Sequence, residues 1–142
     1  MAIKYPLLEA YAKLRREVSL IGSAQLKASE MGQKQMQILY RLSQAPCTMS
    51  ELAEFAQSDK ASTTRTVELL VADGLVRRLD DKNDRRKCVV QLTPKGEKRA
   101  TKAHEVRDYI GERLNGTLSM SERGQLTELL NKVAAGLSAQ RK

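Results

Sequence analysis

The stretch SELAEFAQSDKASTTRTVELLVADGLVRRLDDKNDRRKCVVQLTPKG, residues 50–96, passes from helical apolar spacing to strand-like alternation. Just upstream, Thr48-x-x-Glu51 is a capping box: the Thr side chain takes a backbone N–H, and the Glu reaches back to the cap. A two-turn helix with Leu52, Ala53 and Phe55 follows. AQSD interrupts it, and Ser58 or Asp59 caps a second helix running to about Asp73. Gly74 stands where a left-handed C-terminal residue belongs. Two short helices joined by a tight turn make a helix-turn-helix. The period then shortens to two: LVRRL and KCVVQL are strand candidates joined by the charged loop DDKND, with Cys88, Val90 and Leu92 alternating to one face.

On a helical wheel, Thr63, Val67, Leu70 and Thr66 turn inward. Lys60, Ser62, Thr64, Arg65 and Glu68 turn outward. The first turns thus expose small hydroxyls and two long cations. Short side chains permit close approach in a DNA major groove, where an arginine forks onto guanine. The strand pair adds Arg77, Arg78, Lys82, Arg85, Arg86 and Lys87 against Asp80, Asp81 and Asp84. A hairpin tip reaches beyond the domain body, so such cations can meet phosphates or enter a narrow minor groove. Asp84, beside Arg85 and Arg86, suits a brace that accepts a forked guanidinium bond and aims one arginine.

Outward from this stretch the chain reads as helices. From Pro6 to about Lys27, Leu7, Tyr11, Leu14, Val18 and Ile21 recur at steps of three and four. An apolar seam on a helix about 30 Å long usually packs on a partner helix. QKQMQILYRLSQ is a shorter helix using Met36, Leu39, Tyr40 and Leu42, and it stops before Pro46. Thr93-Pro94 opens a long helix carrying Val106, Tyr109, Ile110 and Leu114. Ser119-x-x-Glu122 is a second capping box, ahead of Leu126, Leu130, Val133 and Leu137 on one side of the last helix. There are no repeats and no low-complexity linker.

At 142 residues the chain fits one domain. Aromatic content is 4%, so the core must rest on aliphatic side chains and Met. A net charge of +8 favours a polyanionic partner, nucleic acid first and an anionic membrane surface second. No apolar run approaches the ~18 residues of a membrane span, and the opening MAIKYPLLEAY lacks a signal-peptide core. The expected setting is cytoplasmic, where Cys47 and Cys88 are reduced thiols. Two Cys and the single His104 do not make a zinc site, and no metal or cofactor is expected. No phosphate-binding loop, dinucleotide fingerprint or nucleophile elbow is present, so the chain does not read as an enzyme.

The ordered set Ser50-Glu51-Leu52-Ala53, Asp59-Lys60, Thr64-Arg65, Gly74-Leu75-Val76, Asp84-Arg85-Arg86 and Leu92-Thr93-x-x-Gly96 resembles the winged helix-turn-helix of the MarR family of bacterial transcription regulators. The flanking helices match in number and order. The resemblance implies a mainly α fold with a small β-hairpin wing in a single domain 1–142. The winged helix-turn-helix would occupy about residues 33–93, flanked by dimerisation helices at about 6–29 and 94–140. It further implies an obligate homodimer on double-stranded DNA. Lys60, Ser62, Thr64 and Arg65 would serve the major groove, Arg85 or Arg86 a minor groove or phosphate. The apolar seams of the terminal helices, more than one small lobe can bury, support the dimer separately. Two-fold symmetry requires a pseudo-palindromic site with half-sites about one helical turn apart. Thr63 and Thr66 depart from the family's apolar preference, and Met36 from a position that is often aromatic.

The expected function is a sequence-specific, ligand-responsive repressor, its small-molecule effector unidentified. His104 and Tyr109 read as structural. Two alternatives compete: a non-specific architectural winged-helix DNA binder or protein-interaction module, and a redox-responsive regulator using Cys47 or Cys88. A sensing thiol needs exposure and a lowered pKa. Cys88 follows three cations but alternates inward, and Cys47 lies in an apolar connector, so inert thiols are expected at both.

Overall fold

A computed structural model of the chain describes residues 2–80, 82–84 and 87–141. In order, the elements are α1 (Pro6–Ala28), α2 (Gln33–Gln44), β1 (Cys47–Thr48), α3 (Met49–Phe55), α4 (Lys60–Ala72), β2 (Val76–Asp80), β3 (Cys88–Leu92), α5 (Pro94–Asn115) and α6 (Met120–Gln140). They form two compact units, one ending at Arg107 and the other beginning at Asp108, with the division inside α5.

In the first unit, α2, α3 and α4 bury Ile38, Leu39, Leu52, Val67 and Leu70 at 1% exposure or less. Leu26 of α1 and Ala100, Ala103 and Val106 of α5 are buried as well. Two of the five aromatic residues, Tyr40 and Phe55, meet on this lobe. Tyr40 stacks on Phe55 with centroids 6.3 Å apart and lies 5.0 Å from the His104 ring. The Arg107 guanidinium sits 3.9 Å over the Tyr40 centroid. His104 Nε2 is also 2.8 Å from Ser43 Oγ.

The sheet has three antiparallel strands in the order β1-β3-β2, one more than the expected hairpin. β1 contributes only Cys47 and Thr48, opposite Val90 and Val89. Two residues after a proline cannot show an alternating pattern, which is why the connector concealed a strand. Pairing Cys47 with the buried Val90 takes its side chain into the core at 1% exposure.

A second lock joins the end of α4 to the start of α5. Gly74 adopts φ +72, the left-handed turn expected of it. Thr93 Oγ1 donates to the Gly74 carbonyl (2.6 Å) and accepts from the Gly96 N–H (3.0 Å). Lys95 Nζ donates to the Asp73 carbonyl at 2.8 Å. A Cβ on Gly96 would lie 1.8 Å from the Leu75 carbonyl oxygen, so only glycine fits where α5 crosses this turn.

The second unit holds the end of α5 and all of α6. Arg113 stacks on Tyr109 at 4.3 Å. Ser119 and Glu122 form the full capping box at the start of α6, as the spacing predicts. No residue of α6 is buried; Leu126, Leu129, Leu130, Val133 and Leu137 are each at least 40% exposed. In the first unit, Leu7, Tyr11 and Leu14 of α1 are exposed too, while Val18 and Ile21 are half-buried.

Candidate nucleic-acid interface

Helix α3 begins with the capping box: Glu51 N–H donates to Thr48 Oγ1 (3.2 Å) and Thr48 N–H to Glu51 Oε2 (3.0 Å). It ends at Ala56, and Gln57 takes φ 51 in the connection to α4. Asp59 caps α4, accepting the Ser62 N–H at 2.7 Å. That bond holds the Asp59 carboxyl below its ordinary range, and the Lys34 and Arg65 charges add to the effect. Because the folded-state value is lowered, the cap contributes stability above the ordinary Asp range and loses it as pH falls through the lowered value.

The wheel drawn for α4 holds on its inner side. Thr63, Val67 and Leu70 are buried, and Lys60, Arg65 and Glu68 are exposed. Ser62 and Thr64 are half-buried on the outer flanks. Thr66 is half-buried rather than in the core, and its Oγ1 donates to the Ser62 carbonyl at 3.1 Å. Thr63 does enter the core at 1% exposure, because its Oγ1 donates to the Asp59 carbonyl at 3.0 Å. A hydroxyl satisfied by its own helix can occupy an apolar position at little cost.

The register of β2 against β3 sorts the wing cations. Arg78 pairs with Val90 and Val76 with Leu92, so Arg78 lies on the same sheet face as these buried residues. Its guanidinium is 4.0 Å from Glu68 of α4. Arg78 therefore leans back toward α4 instead of reaching outward with the wing tip, in an exposed ion pair worth ~1 kcal/mol at most. Lys82 and Lys87 are exposed. A cavity of about 390 Å³ is lined by Lys60 and Lys87 together with Thr48, Ser50, Glu51 and Cys88. Arg85 and Arg86 lie outside the described residues. Asp84, assigned as their brace, is half-buried, and its carbonyl accepts the Lys87 N–H at 3.0 Å.

The structure adds one residue to this surface. Lys34, in the first turn of α2, donates from Nζ to Ser62 Oγ. Nothing local to Lys34 announces this, since 28 positions separate the two residues and only the packing of α2 against α4 joins them. The cysteines differ. Burial pushes the Cys47 thiol up, which disfavours thiolate, whereas Cys88 is half-buried beside the cavity.

A helix-turn-helix whose second helix presents small hydroxyls and cations, followed by a strand pair, defines a winged helix-turn-helix. Comparison with known proteins places it further. Residues 29–87 match the sequence profile of the MarR family. The HTH-type transcriptional regulator BilQ of Clostridium symbiosum is 32% identical over 96 residues, covering 68% of this chain and 67% of BilQ. Among solved structures, BldR from Sulfolobus solfataricus superposes with a TM-score of 0.77 at 30% identity, over 93% of this chain and 94% of BldR. A mutant MarR from Escherichia coli complexed with operator DNA gives a TM-score of 0.77 at 25% identity, over 93% of this chain and 99% of that one. The chain belongs to the MarR family and is a DNA-binding transcriptional regulator of that type, not an enzyme. None of its described helices is long and apolar enough to cross a membrane.

Proposed function

We propose that this regulator binds a pseudo-palindromic site on double-stranded DNA as a homodimer, in the cytoplasm. Its reading head is the first two turns of α4. Arg65 forks onto a base edge, Ser62 and Thr64 make close hydroxyl contacts, and Lys60 meets the backbone. Arg85 or Arg86 takes a phosphate or the minor groove, with Asp84 as its brace. The observation that carries this reading is the segregation on α4, where Thr63, Val67 and Leu70 are buried while Lys60 and Arg65 are exposed and Ser62 and Thr64 lie half-buried on the outer flanks. The cavity lined by Lys60 and Lys87 supports it, since two ammonium groups and the Thr48 and Ser50 hydroxyls on one lining outweigh the single Glu51 carboxylate and suit a phosphodiester.

The winged lobe then comprises about residues 33–93, and the helices at about 6–29 and 94–140 join the two copies. The exposed stripes of α1 and α6 support this pairing, because a monomer rarely leaves contiguous apolar faces of that length in water. For effector-controlled repression, the supporting observation is a cavity of about 420 Å³ lined by Ser43, Gln91, Thr101 and His104 with Leu42, Pro46 and Leu92. That volume suits a small organic molecule. Burial of Cys47 weighs against a redox switch at that thiol.

Selection of a random duplex library by the purified protein at moderate salt, followed by sequencing, tests the proposal. The expected result is an enriched inverted repeat with half-sites about ten base pairs apart. Tight binding at low salt with no enriched sequence would contradict it and favour an architectural binder, whose affinity is almost wholly electrostatic.

A further inference from the structure

Ser62 is the most fully engaged residue on the outer side of α4. Its N–H donates to Asp59 Oδ1 at 2.7 Å. Its carbonyl accepts from Thr66 Oγ1 at 3.1 Å. Its hydroxyl oxygen accepts from Lys34 Nζ. A lysine ammonium has three donors and no acceptor, whereas a serine hydroxyl has one proton and two lone pairs. The hydroxyl can only be the acceptor in this pair, and its own proton must turn away from the ammonium. Lys34 and Ser62 are held in this relation by the packing of α2 on α4, and Asp59, which caps α4 through Ser62, feels the Lys34 charge as well.

We propose that Lys34 is a specificity-determining positioning residue, which biases the Ser62 hydroxyl toward donating a hydrogen bond to the DNA. The inference rests on the placement of Ser62 in the major groove. Guanine O6 and N7 and thymine O4 are acceptors there, whereas cytosine N4 is a donor. With one lone pair taken by the ammonium, the hydroxyl becomes a better donor and a poorer acceptor, so it favours the first group, and adenine N7, over the amino edges of cytosine and adenine. A free hydroxyl rotates and pairs with either. Lys34 thus sets which base is read without touching it.

The test is competition between duplexes that differ at single positions of the selected site, at one salt concentration, for the wild type, S62A, K34M, K34R and K34M/S62A. Competition reports relative affinities, so a variant that is partly unfolded does not distort the result. S62A is expected to flatten the preference at one position in each half-site by about 3–10-fold, the range of one net hydrogen bond. K34M should flatten that same position by a similar factor, K34R should retain the preference, and the double variant should match S62A alone. If S62A flattens the position but K34M weakens all duplexes evenly, Lys34 is only a backbone cation and the proposal falls while the groove assignment stands. Additive losses in the double variant overturn it in the same way. If S62A changes no preference, the groove assignment of Ser62 fails and takes this inference with it.

Discussion

Helices α4 and α6 both carry an apolar stripe, and they treat it in opposite ways. The 13-residue α4 buries Thr63, Val67 and Leu70 at 1% exposure or less within its own lobe. The 21-residue α6 buries nothing, and its five large aliphatic side chains stay at least 40% exposed. Identical periodicity therefore has two destinations. In α4 the inner face is satisfied inside the chain, which leaves the outer face free to be polar and to face a ligand. In α6 none of the described residues is buried, and the proposed pairing with a second copy would cover its apolar face.

Breaking the α6 side of this contrast should give the largest effect. The double substitution L130E/V133E puts two charges on the exposed stripe. It should convert the protein from twice 15.9 kDa to the single-chain mass in sedimentation, with the helical signal of the winged lobe retained. A dimer that survives would place the interface elsewhere. Next comes Leu70→Ala in α4, which opens a cavity at a fully buried position and should cost about 2–5 kcal/mol in denaturant unfolding. A cost under about 1 kcal/mol would mean that α4 is not anchored as described.

Arg65→Ala sharpens the outer side of the comparison. It should reduce discrimination between cognate and random duplexes by about 1–3 kcal/mol, measured by titration at fixed salt. Equal losses on both duplexes would remove Arg65 from base reading. The smallest effect is expected at Thr63→Val. The Asp59 carbonyl keeps the Thr63 N–H as a donor, so loss of the hydroxyl leaves no orphan, and stability should move by less than about 1 kcal/mol.

These residues also show how far the sequence reaches. Signals that act over three or four positions were legible: both capping boxes, the Gly74 turn and the burial of Thr63, Val67 and Leu70 follow from local spacing alone, whereas Thr66, also read as inward, is only half-buried. The winged helix-turn-helix was legible too, because its parts stand in order along the chain. Partners set by packing were not legible. Gly96 is required by the Leu75 carbonyl, which only the crossing of α5 brings close. Arg78 looked like a wing cation until the strand register turned it toward Glu68. Strand β1 was too short to show a period, and Lys34 reaches Ser62 only across two helices.

The most direct test of the two destinations is the mass of the protein bound to its selected duplex, measured by native mass spectrometry. Two chains are expected on an intact inverted repeat, with the second lost together with binding when L130E/V133E is introduced. One chain per intact repeat, bound as tightly by wild type as by the double variant, would contradict the assignment of α6 to a second copy.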